Sequence, residues 1–544
     1  MTTIQIDRFT NRPTTVPPLA LAPGWQARPL TPPSTLLGAA GVRVGPDGRL
    51  YVAEAFGNRI SAIDLSTRSV STICEVGNPI VAPDDIAFDT RGIMYVPDVM
   101  SARVCARMPN GEIHVVASGT PCANGITVYQ DRVFMDECRP AGRLAEIFPD
   151  GSAPKILAEN LPAPNALAVG PDGYLYFPLV TESEIWRVPV GGGSVQRFVG
   201  NLDVPTAVKF NAKGELYSVQ ARTGELLKFD VTTGSRTIVS RMRPGLDNLD
   251  LTPDGRIFVS HYIDGGVEEI LPDGTEVPLV APGMLGPYGL AITASGTLYL
   301  CDGLSLIAVN RDVPARRVGH RMDGHFPGWV RGITEADNGF VIVTTAEGAL
   351  ARYHPESHET ELLDSGLQEA MDVAITADGE VMFTETGTGS LVALAPGKPG
   401  KKRVVSSSLA RPMGLALGRD GTAYVAEAKA GRVVAVDSSG ITPIVEDLAE
   451  PHGLAIYGDT LFALDVGTRQ LIACDLLART TTVIATGLPI GSPPGTVAQI
   501  LPGIPQRIPG PLSAFAGLAA GPDGTLYVSA NGSGMAIAIE PPAI

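Results

Sequence analysis

The stretch Asn165-Ala-Leu-Ala-Val-Gly-Pro-Asp-Gly-Tyr-Leu-Tyr-Phe177 decides the fold of this chain. It reads as a short apolar strand, a tight Gly-Pro-Asp-Gly turn, and a second strand that ends in aromatic residues. Proline fixes φ ahead of the turn, and glycine takes the positive φ that a tight hairpin requires. The stretch therefore predicts a β-hairpin.

This hairpin recurs along the whole chain. Most neighbouring copies are 40 to 44 residues apart, and two copies, at residues 124–135 and 452–464, keep the strands but shorten the turn. The turn glycines of the other ten copies are Gly48, Gly92, Gly173, Gly214, Gly255, Gly296, Gly339, Gly379, Gly421 and Gly524. Twelve copies with a period near 41 are typical of β-propeller blades.

Twelve blades are too many for one ring, because propellers typically have four to eight. The sequence therefore predicts an all-β protein of two tandem β-propellers with six four-stranded blades each. We place blades 1–6 in residues 1–285 and blades 7–12 in residues 286–544, with a Pro/Gly-rich insertion at 487–512 that serves as a linker or a lid.

The last blade lacks a fourth strand in the sequence. A strand from the opposite end of the chain would close it and leave no open sheet edge, and two segments, Ile4–Phe9 and Trp25–Leu30, have strand character. This leaves two ring divisions open. Blades 1–6 and 7–12 form the rings, or blade 12 crosses the insertion to join blades 1–5; we favour the first.

Composition and charge limit the partners and the cellular compartment that we expect for this protein. The net charge is −16 and there is no basic patch, so nucleic acid is not an expected partner. No apolar run reaches 18 residues and the N-terminus has no signal-peptide pattern, so we expect no membrane association. Six cysteines without a Cys-x-x-Cys pair indicate reduced, buried thiols in a cytoplasmic protein. The oligomeric state is left open.

The first residue of each innermost strand faces the axis of its ring, and it lies eight residues before the turn glycine. Aligning the copies on that glycine gives the axis positions of both rings. For blades 1–6 they are Ala40, Asp84, Asn124, Asn165, Thr206 and Asp247. For blades 7–12 they are Tyr288, Arg331, Met371, Met413, His452 and Ala516.

The axis residues of the first six blades are almost all oxygen-bearing. Asp84, Asn124, Asn165 and Asp247 suit a hard cation, Ca²⁺ or Mg²⁺ rather than Zn²⁺. Such a cation would polarise a carbonyl group, and Asp85 or Asp247 would take the proton from water. The alternative is that short polar side chains merely begin the strands and bind water in a solvated channel.

Acidic residues also recur at the ends of the second strands. Recurrence in nearly every blade favours a structural role, in which the carboxylate binds backbone amides of the turn that follows it. Glu137 and His261 depart from that pattern, and we keep both as substrate-binding candidates.

The axis of the last six blades has a different chemistry. Arg331 and His452 are candidates for catalysis without a metal, and Tyr288, His325 and Trp329 for binding of an anionic or aromatic organic substrate. The alternative is that residues 319–329 form a structural loop in which Trp329 packs on the blade edges.

Several units show a family resemblance. Tyr51-Val-Ala-Glu-Ala-Phe-Gly-Asn-Arg-Ile60 and Pro451-His-Gly-Leu-Ala455 resemble NHL repeats and the propellers of the senescence-marker, gluconolactonase and strictosidine-synthase-like group. The gluconolactonase-like resemblance implies an axial divalent metal held by Glu, two Asn and Asp, and hydrolysis of a sugar lactone. Asn124 matches in its Asn-Gly motif, and Asn165 and Asp247 match by position. The family's first-blade Glu is absent, and Asp84 is its candidate replacement.

These observations lead to one functional hypothesis and two alternatives. We expect a soluble, metal-dependent hydrolase of a small lactone or ester. The alternatives are a non-catalytic NHL-type scaffold that binds a ligand or a protein, and a lyase or isomerase that uses the same funnel.

Overall fold

A computed structural model describes residues 19–310, 313–492 and 514–542 of the chain. Within these ranges there are twelve antiparallel sheets, eleven with four strands and one with five. The helical residues are two short 3-10 turns, Val99–Ser101 and Asp337–Gly339. The prediction of an all-β protein with two tandem propellers is thereby confirmed.

Blades 1–6 form what we call the first ring, and each blade runs outward from the axis in chain order. Their strands are Ala39–Val44, Leu50–Glu54, Arg59–Ile63 and Val70–Cys74 in blade 1; Ala87–Phe88, Met94–Asp98, Arg103–Arg107 and Ile113–Ser118 in blade 2; Ala123–Tyr129, Arg132–Glu137, Gly142–Ile147 and Lys155–Leu161 in blade 3; Ala168–Val169, Tyr174–Leu179, Glu184–Pro189 and Gln196–Val199 in blade 4; Pro205–Phe210, Leu216–Gln220, Glu225–Phe229 and Arg236–Arg241 in blade 5; and Leu246–Leu251, Ile257–His261, Val267–Ile270 and Glu276–Val280 in blade 6.

Blades 7–12 form the second ring. Their strands are Leu290–Ile292, Leu298–Cys301, Ser305–Asn310 and Val313–His320 in blade 7; Val330–Glu335, Val341–Thr345, Leu350–Tyr353 and Thr360–Asp364 in blade 8; Ala370–Ile375, Val381–Glu385, Ser390–Leu394 and Lys402–Ser406 in blade 9; Pro412–Leu417, Ala423–Glu427, Arg432–Asp437 and Gly440–Val445 in blade 10; Pro451–Tyr457, Thr460–Asp465, Gln470–Asp475, Thr480–Thr486 and Ala20–Leu21 in blade 11; and Leu518–Ala520, Leu526–Ala530, Met535–Glu540 and Gln26–Pro29 in blade 12.

Innermost strands of neighbouring blades touch backbone to backbone. Where blade 1 meets blade 2, the Gly41 amide donates to the Asp84 carbonyl at 2.6 Å. Where blade 12 meets blade 7, a Cβ on Gly517 would lie 2.6 Å from the Tyr288 carbonyl oxygen, so only glycine fits. These contacts leave the axis positions of each ring facing one another.

The chain's N-terminal part supplies the missing strand of blade 12. Gln26–Pro29 pairs antiparallel with Met535–Glu540, with Ala27 opposite Ile539. This strand lies within the predicted segment Trp25–Leu30, whereas Ile4–Phe9 and residues 493–512 of the predicted insertion lie outside the described residues. The domain bounds 1–285 and 286–544 stay a prediction. The pairing shows that one strand from the N-terminal part of the chain belongs to a sheet of the second ring.

Carboxylates at the ends of the second strands hold the loops that lead into the innermost strands. Glu54 accepts the Leu37 amide at 2.8 Å, and Asp98 accepts the Ala82 amide at 2.9 Å. The same bond recurs in blades 7, 9, 10 and 11, from Asp302, Glu385, Glu427 and Asp465. The predicted structural role is correct, although the loop that is bound precedes the innermost strand.

The two rings pack against each other at blades 1, 6, 7 and 8. The Phe56 ring lies 4.9 Å from the Tyr262 ring and 5.1 Å from the Trp329 ring, measured between centroids. The chain crosses between the rings twice, at residues 30–38 and 281–289. These crossings touch, because the Ser34 hydroxyl donates to the Met284 carbonyl at 2.6 Å.

Other sequence expectations concern the thiols and the membrane. All six cysteines are buried and free, as predicted. Among the described residues no helix has the length and apolar character needed to cross a membrane.

The closing strand provides a test of the fold. Ala27 packs on the apolar core of blades 11 and 12, whereas its neighbour Gln26 is exposed. We expect Ala27→Asp to lower the free energy of unfolding of the second ring by about 1–3 kcal/mol, because it places a carboxylate against this core. Urea unfolding followed by tryptophan fluorescence measures the change.

The matched control is Gln26→Asp, which adds the same charge on the exposed side of the strand and should change stability by less than about 0.5 kcal/mol. Equal effects of the two substitutions would contradict the assignment of this strand to blade 12.

Candidate functional site

Four polar side chains of the first ring, which we call the axis set, line an internal space. They are Asp84, Asn124, Asn165 and Asp247. Asn124 and Asp247 are the second residues of their innermost strands, Asp84 and Asn165 stand three residues before theirs, and all four keep some exposed surface. Asp84 and Asp247 nevertheless lie deep in the protein. The remaining exposed surface of these two side chains therefore faces the interior of the ring.

The two carboxylates of the axis set repel each other. Burial, and then the charge of Asp85, raise the pKa of Asp84 to about 7, although its hydrogen bond with Asn124 opposes the shift. Burial and the charges of Asp84 and Asp85 raise the pKa of Asp247 well above its usual value. Two desolvated carboxylates this close cannot both ionise cheaply unless a cation lies beside them.

Asn165 contacts residues of blades 3 and 4. Its Oδ1 accepts the Ala166 amide at 2.7 Å, and its Nδ2 lies 3.8 Å from the Cys138 sulfur. Thr206 at the next axis position donates to the Leu246 carbonyl, and Ala40 offers no side-chain donor atom. The structure therefore brings together four of the six axis residues as possible ligands.

Asp85 lies one residue beyond Asp84 and is fully engaged with protein. Its Oδ1 accepts from the Ile86 amide at 2.8 Å and from Asn248 Nδ2 at 3.1 Å, and its Oδ2 accepts from the Ile126 amide at 3.1 Å. These bonds join blades 2, 3 and 6. They describe a positioning role for Asp85, while its predicted role as a proton acceptor stays a prediction.

A charged layer lies below the axis set, and the sequence reasoning missed it. The Lys209 ammonium is buried, makes no hydrogen bond with a described residue, and lies 4.0 Å from Asp85 Oδ2. Burial, and then the charge of Arg43, lower the pKa of Lys209 to about 8. Arg43 itself pairs with Asp250 at 3.2 Å. Arg43, Lys209 and Asp250 each stand three residues after an axis position, so the same register would have found them.

A second missed group covers the axis set on the side of the second ring. Burial and the charges of Asp84 and Asp247 raise the pKa of Tyr262 far above its usual value, so its hydroxyl keeps its proton. Met322, from residues 321–329 of the second ring, packs on the cluster that contains Cys138. Neither residue follows the repeat, so no sequence signal marked them.

The two further candidates of the first ring, Glu137 and His261, lie beside charged side chains of the protein. Glu137 pairs with Arg139 at 2.8 Å and accepts from Arg143 Nε at 2.9 Å. His261 lies 2.7 Å from Glu268, and both are fully buried. Neither lies in the axis set, and their predicted part in substrate binding stays a prediction.

The candidates of the second ring divide into an axial group and an exposed residue. Arg331 and Trp329 are both 3% exposed and lie beside Tyr288, whose ring centroid is 6.3 Å from that of Trp329. His325 is exposed, and its carbonyl accepts the Thr360 hydroxyl. The structure thus separates His325 from the other substrate-binding candidates.

His452 lines a cleft of about 340 Å³ together with Arg411, Glu450 and Arg469. Its Nδ1 accepts the Ala516 amide at 3.4 Å, and its Nε2 lies 3.4 Å from Glu450. Burial lowers the pKa of His452, so the ring is neutral. With Nδ1 already engaged, the imidazole has no free lone pair for a substrate proton.

The donor chemistry of the axis set fits a hard cation. Within the described ranges, no group of three or more His, Cys, Asp or Glu side chains is placed to hold a metal ion. The axis set supplies two carboxylates, and its other two donors are amides. Asp136 adds a buried oxygen, Oδ2, that has no hydrogen-bond partner in the described part of the chain. Oxygen donors of these types are the ligands of Ca²⁺ and Mg²⁺.

Comparisons with known proteins found matches among solved structures only. No protein-family model matches the chain, and no curated protein matches it. Among the many solved chains that match, one belongs to the crystal structure of a nidogen/laminin complex. It is 20% identical, the match covers 39% of this chain and 81% of that chain, and the TM-score is 0.34.

The charged layer gives a prediction about stability. Lys209→Met leaves the Asp85 carboxylate buried without its cation, and breaking a buried ion pair typically costs about 3–5 kcal/mol. We expect a loss of this size in urea unfolding. Adding Asp85→Asn should recover part of it, with a coupling energy above about 1 kcal/mol in the double-mutant cycle.

Lys228 of the same blade is the matched control, because it pairs with Glu215 at 3.1 Å on the exposed surface. Lys228→Met should cost less than about 1 kcal/mol. The account of the charged layer fails if Lys209→Met costs no more than this control.

Proposed function

We propose that the first ring holds one divalent cation, Ca²⁺ or Mg²⁺, on its axis and hydrolyses a small lactone or ester there. The observation that carries the proposal is the pair of deep carboxylates, Asp84 and Asp247, whose charges repel each other near Asn124 and Asn165. A divalent cation would remove their repulsion, and the two amides would complete its oxygen ligands.

Each residue of the site would have a separate role in the reaction. When bound, the cation supplies a polarised carbonyl and a water of lowered pKa. Asp247 would accept the proton from the attacking water and would pass it to the alcohol oxygen that leaves. Tyr262 keeps its proton, so its hydroxyl can donate to the oxygen on which negative charge develops. Asp85 and Asn248 fix the innermost strands that carry Asp84 and Asp247.

A second candidate function is non-catalytic binding, and one observation favours it. Tyr262 and Met322 cover the axis set from the side of the second ring. Under this candidate the cation is structural, and the protein acts as a scaffold for a ligand or a partner. Substrate turnover separates the two candidates.

Cation binding should depend on pH. Without a cation the pKa of Asp84 is about 7, well above that of an unfolded aspartate. The folded protein therefore retains a proton that the unfolded chain loses, and its stability falls as pH rises from about 4 to about 7. Since the cation displaces that proton, Ca²⁺ should bind on the order of 100-fold more weakly at pH 5 than at pH 8.

Isothermal titration calorimetry on chelator-treated protein measures this difference. Asp84→Asn and Asp247→Asn should abolish the binding. Asp372→Asn is the matched control, because Asp372 is an equally deep carboxylate beside the axis of the second ring, with a pKa that burial raises to about 7. Calcium binding that is independent of pH, or that is lost in the control, would contradict the proposal.

Catalysis is tested with a panel of γ- and δ-lactones and aryl esters in the presence of Ca²⁺ or Mg²⁺. Asn165→Ala and Asp247→Asn should lower kcat/KM by at least about 100-fold, as loss of a transition-state contact does. Cation binding without turnover of any substrate would sink the hydrolase and favour the scaffold. Turnover that survives a chelator would sink the metal-dependent mechanism.

A further inference from the structure

The Arg331 guanidinium is a buried positive charge that pairs with no carboxylate of the described residues. Arg331 stands at an axis position of the second ring and is 3% exposed. Its Nε and Nη1 atoms are buried and make no hydrogen bond with any described residue. A guanidinium stays charged even when burial lowers its pKa, as it does here. An isolated buried charge is strongly unfavourable unless an anion pairs with it.

Two neutral donors lie beside this guanidinium. The Trp329 indole Nε1 is buried and lies near the Tyr288 hydroxyl, without a hydrogen bond of good geometry. Burial raises the pKa of Tyr288 to about 12, so its hydroxyl keeps its proton and can donate. Arg331, Trp329 and Tyr288 therefore present donors and no charged acceptor.

The carboxylates around this group do not pair with the guanidinium. Glu369 and Glu347 act on Arg331 through their charge, and Glu369 is exposed to solvent. Glu347 is exposed and accepts the Trp329 backbone amide at 2.9 Å. Asp372 accepts the amides of Leu415 and Val373 through its two oxygens. Within the described part of the chain, no side-chain carboxylate pairs with Arg331.

The surroundings of the three donors are apolar. Tyr288 and Trp329 belong to one buried cluster with Met371, Met413 and Phe515. Apolar walls around a guanidinium suit the hydrocarbon part of an organic acid better than a hydrated inorganic anion. The planar fork of the guanidinium matches the two oxygens of a carboxylate.

We propose that the axis of the second ring binds the carboxylate group of a small organic acid, with Arg331 as its ion-pair partner and Trp329 and Tyr288 as neutral donors. This site is separate from the cation site of the first ring. Either site can exist without the other, so the two proposals fail independently.

A cleft at His452 lies on the same ring. His452 occupies an axis position of the same ring and stacks on Phe515, a member of the apolar cluster. The cleft is lined by two arginines, Arg411 and Arg469, and by one carboxylate, Glu450. Its excess positive charge would attract organic anions.

The test uses the full-length protein and three probes, sodium formate, sodium acetate and sodium benzoate, titrated in thermal-shift and calorimetric assays at constant ionic strength, with sodium chloride as a separate arm. We expect a saturable rise in Tm with at least one carboxylate and none with chloride. Arg331→Met should weaken the binding on the order of 100-fold, because it removes a charge-assisted pair.

Ligand-free Arg331→Met should also melt at a higher temperature than the wild type, because a buried charge without a partner is replaced by an apolar chain. Arg419→Met, at an exposed arginine of the same ring, is the matched control and should change neither the Tm nor the binding. Trp329→Phe provides a second variant and should weaken binding by about 2- to 10-fold through loss of one neutral donor.

Three results would overturn the proposal. The first is that no carboxylate produces a saturable shift in the wild type. The second is that Arg331→Met and Trp329→Phe bind the probe as tightly as the wild type. The third is that chloride gives the same saturable shift as the carboxylates, which would contradict a site built for a carboxylate.

Discussion

The structure depends on a hydrogen bond from a backbone amide to a carboxylate at the entry of blades 1, 2, 7, 9, 10 and 11. Asp98 illustrates it, because its oxygens accept the amides of Val81 and Ala82 just before the axis residue Asp84. The bond satisfies loop amides that would otherwise be buried without a partner. It also fixes the point at which the innermost strand begins. The same bond in blades 9, 10 and 11 explains why the axis positions keep one register around the ring.

Because the scaffold fixes where the axis residues lie, their identity is free to vary between the rings. In the first ring two carboxylates and two amides converge, and a built-in cation, Lys209, lies one layer below them. In the second ring the corresponding position of blade 8 is Arg331, whose buried Nε and Nη1 have no partner among the residues that the structure describes. One fold thus presents two axes of opposite electrostatic character. The double crossing of the chain between the rings, held by Ser34 and Met284, places these axes in one molecule with a shared apolar interface.

The sequence predicts the blades and the axis positions, and it misses functional candidates that lie outside the repeated pattern. The turn glycine gives the blades, and counting eight residues back gives Asp84 and Asp247, because both follow from a local, periodic geometry. Counting five residues back would have given Lys209. Tyr262 and Met322 are different, because they reach the axis set through packing between rings, which no spacing encodes. For the same reason the sequence left two closing segments open for blade 12, and pairing selects Gln26–Pro29.

The central claim is that the axis of the first ring is a divalent-cation site. A crystal structure of the protein grown with Mn²⁺, as an anomalous scatterer in place of Ca²⁺ or Mg²⁺, tests it most directly. The account predicts one strong anomalous peak on that axis, about 2.0–2.6 Å from oxygens of Asp84 and Asp247 and from at least one of the two amides, Asn124 or Asn165. An axis that holds only water, with Mn²⁺ found elsewhere or nowhere, would contradict it.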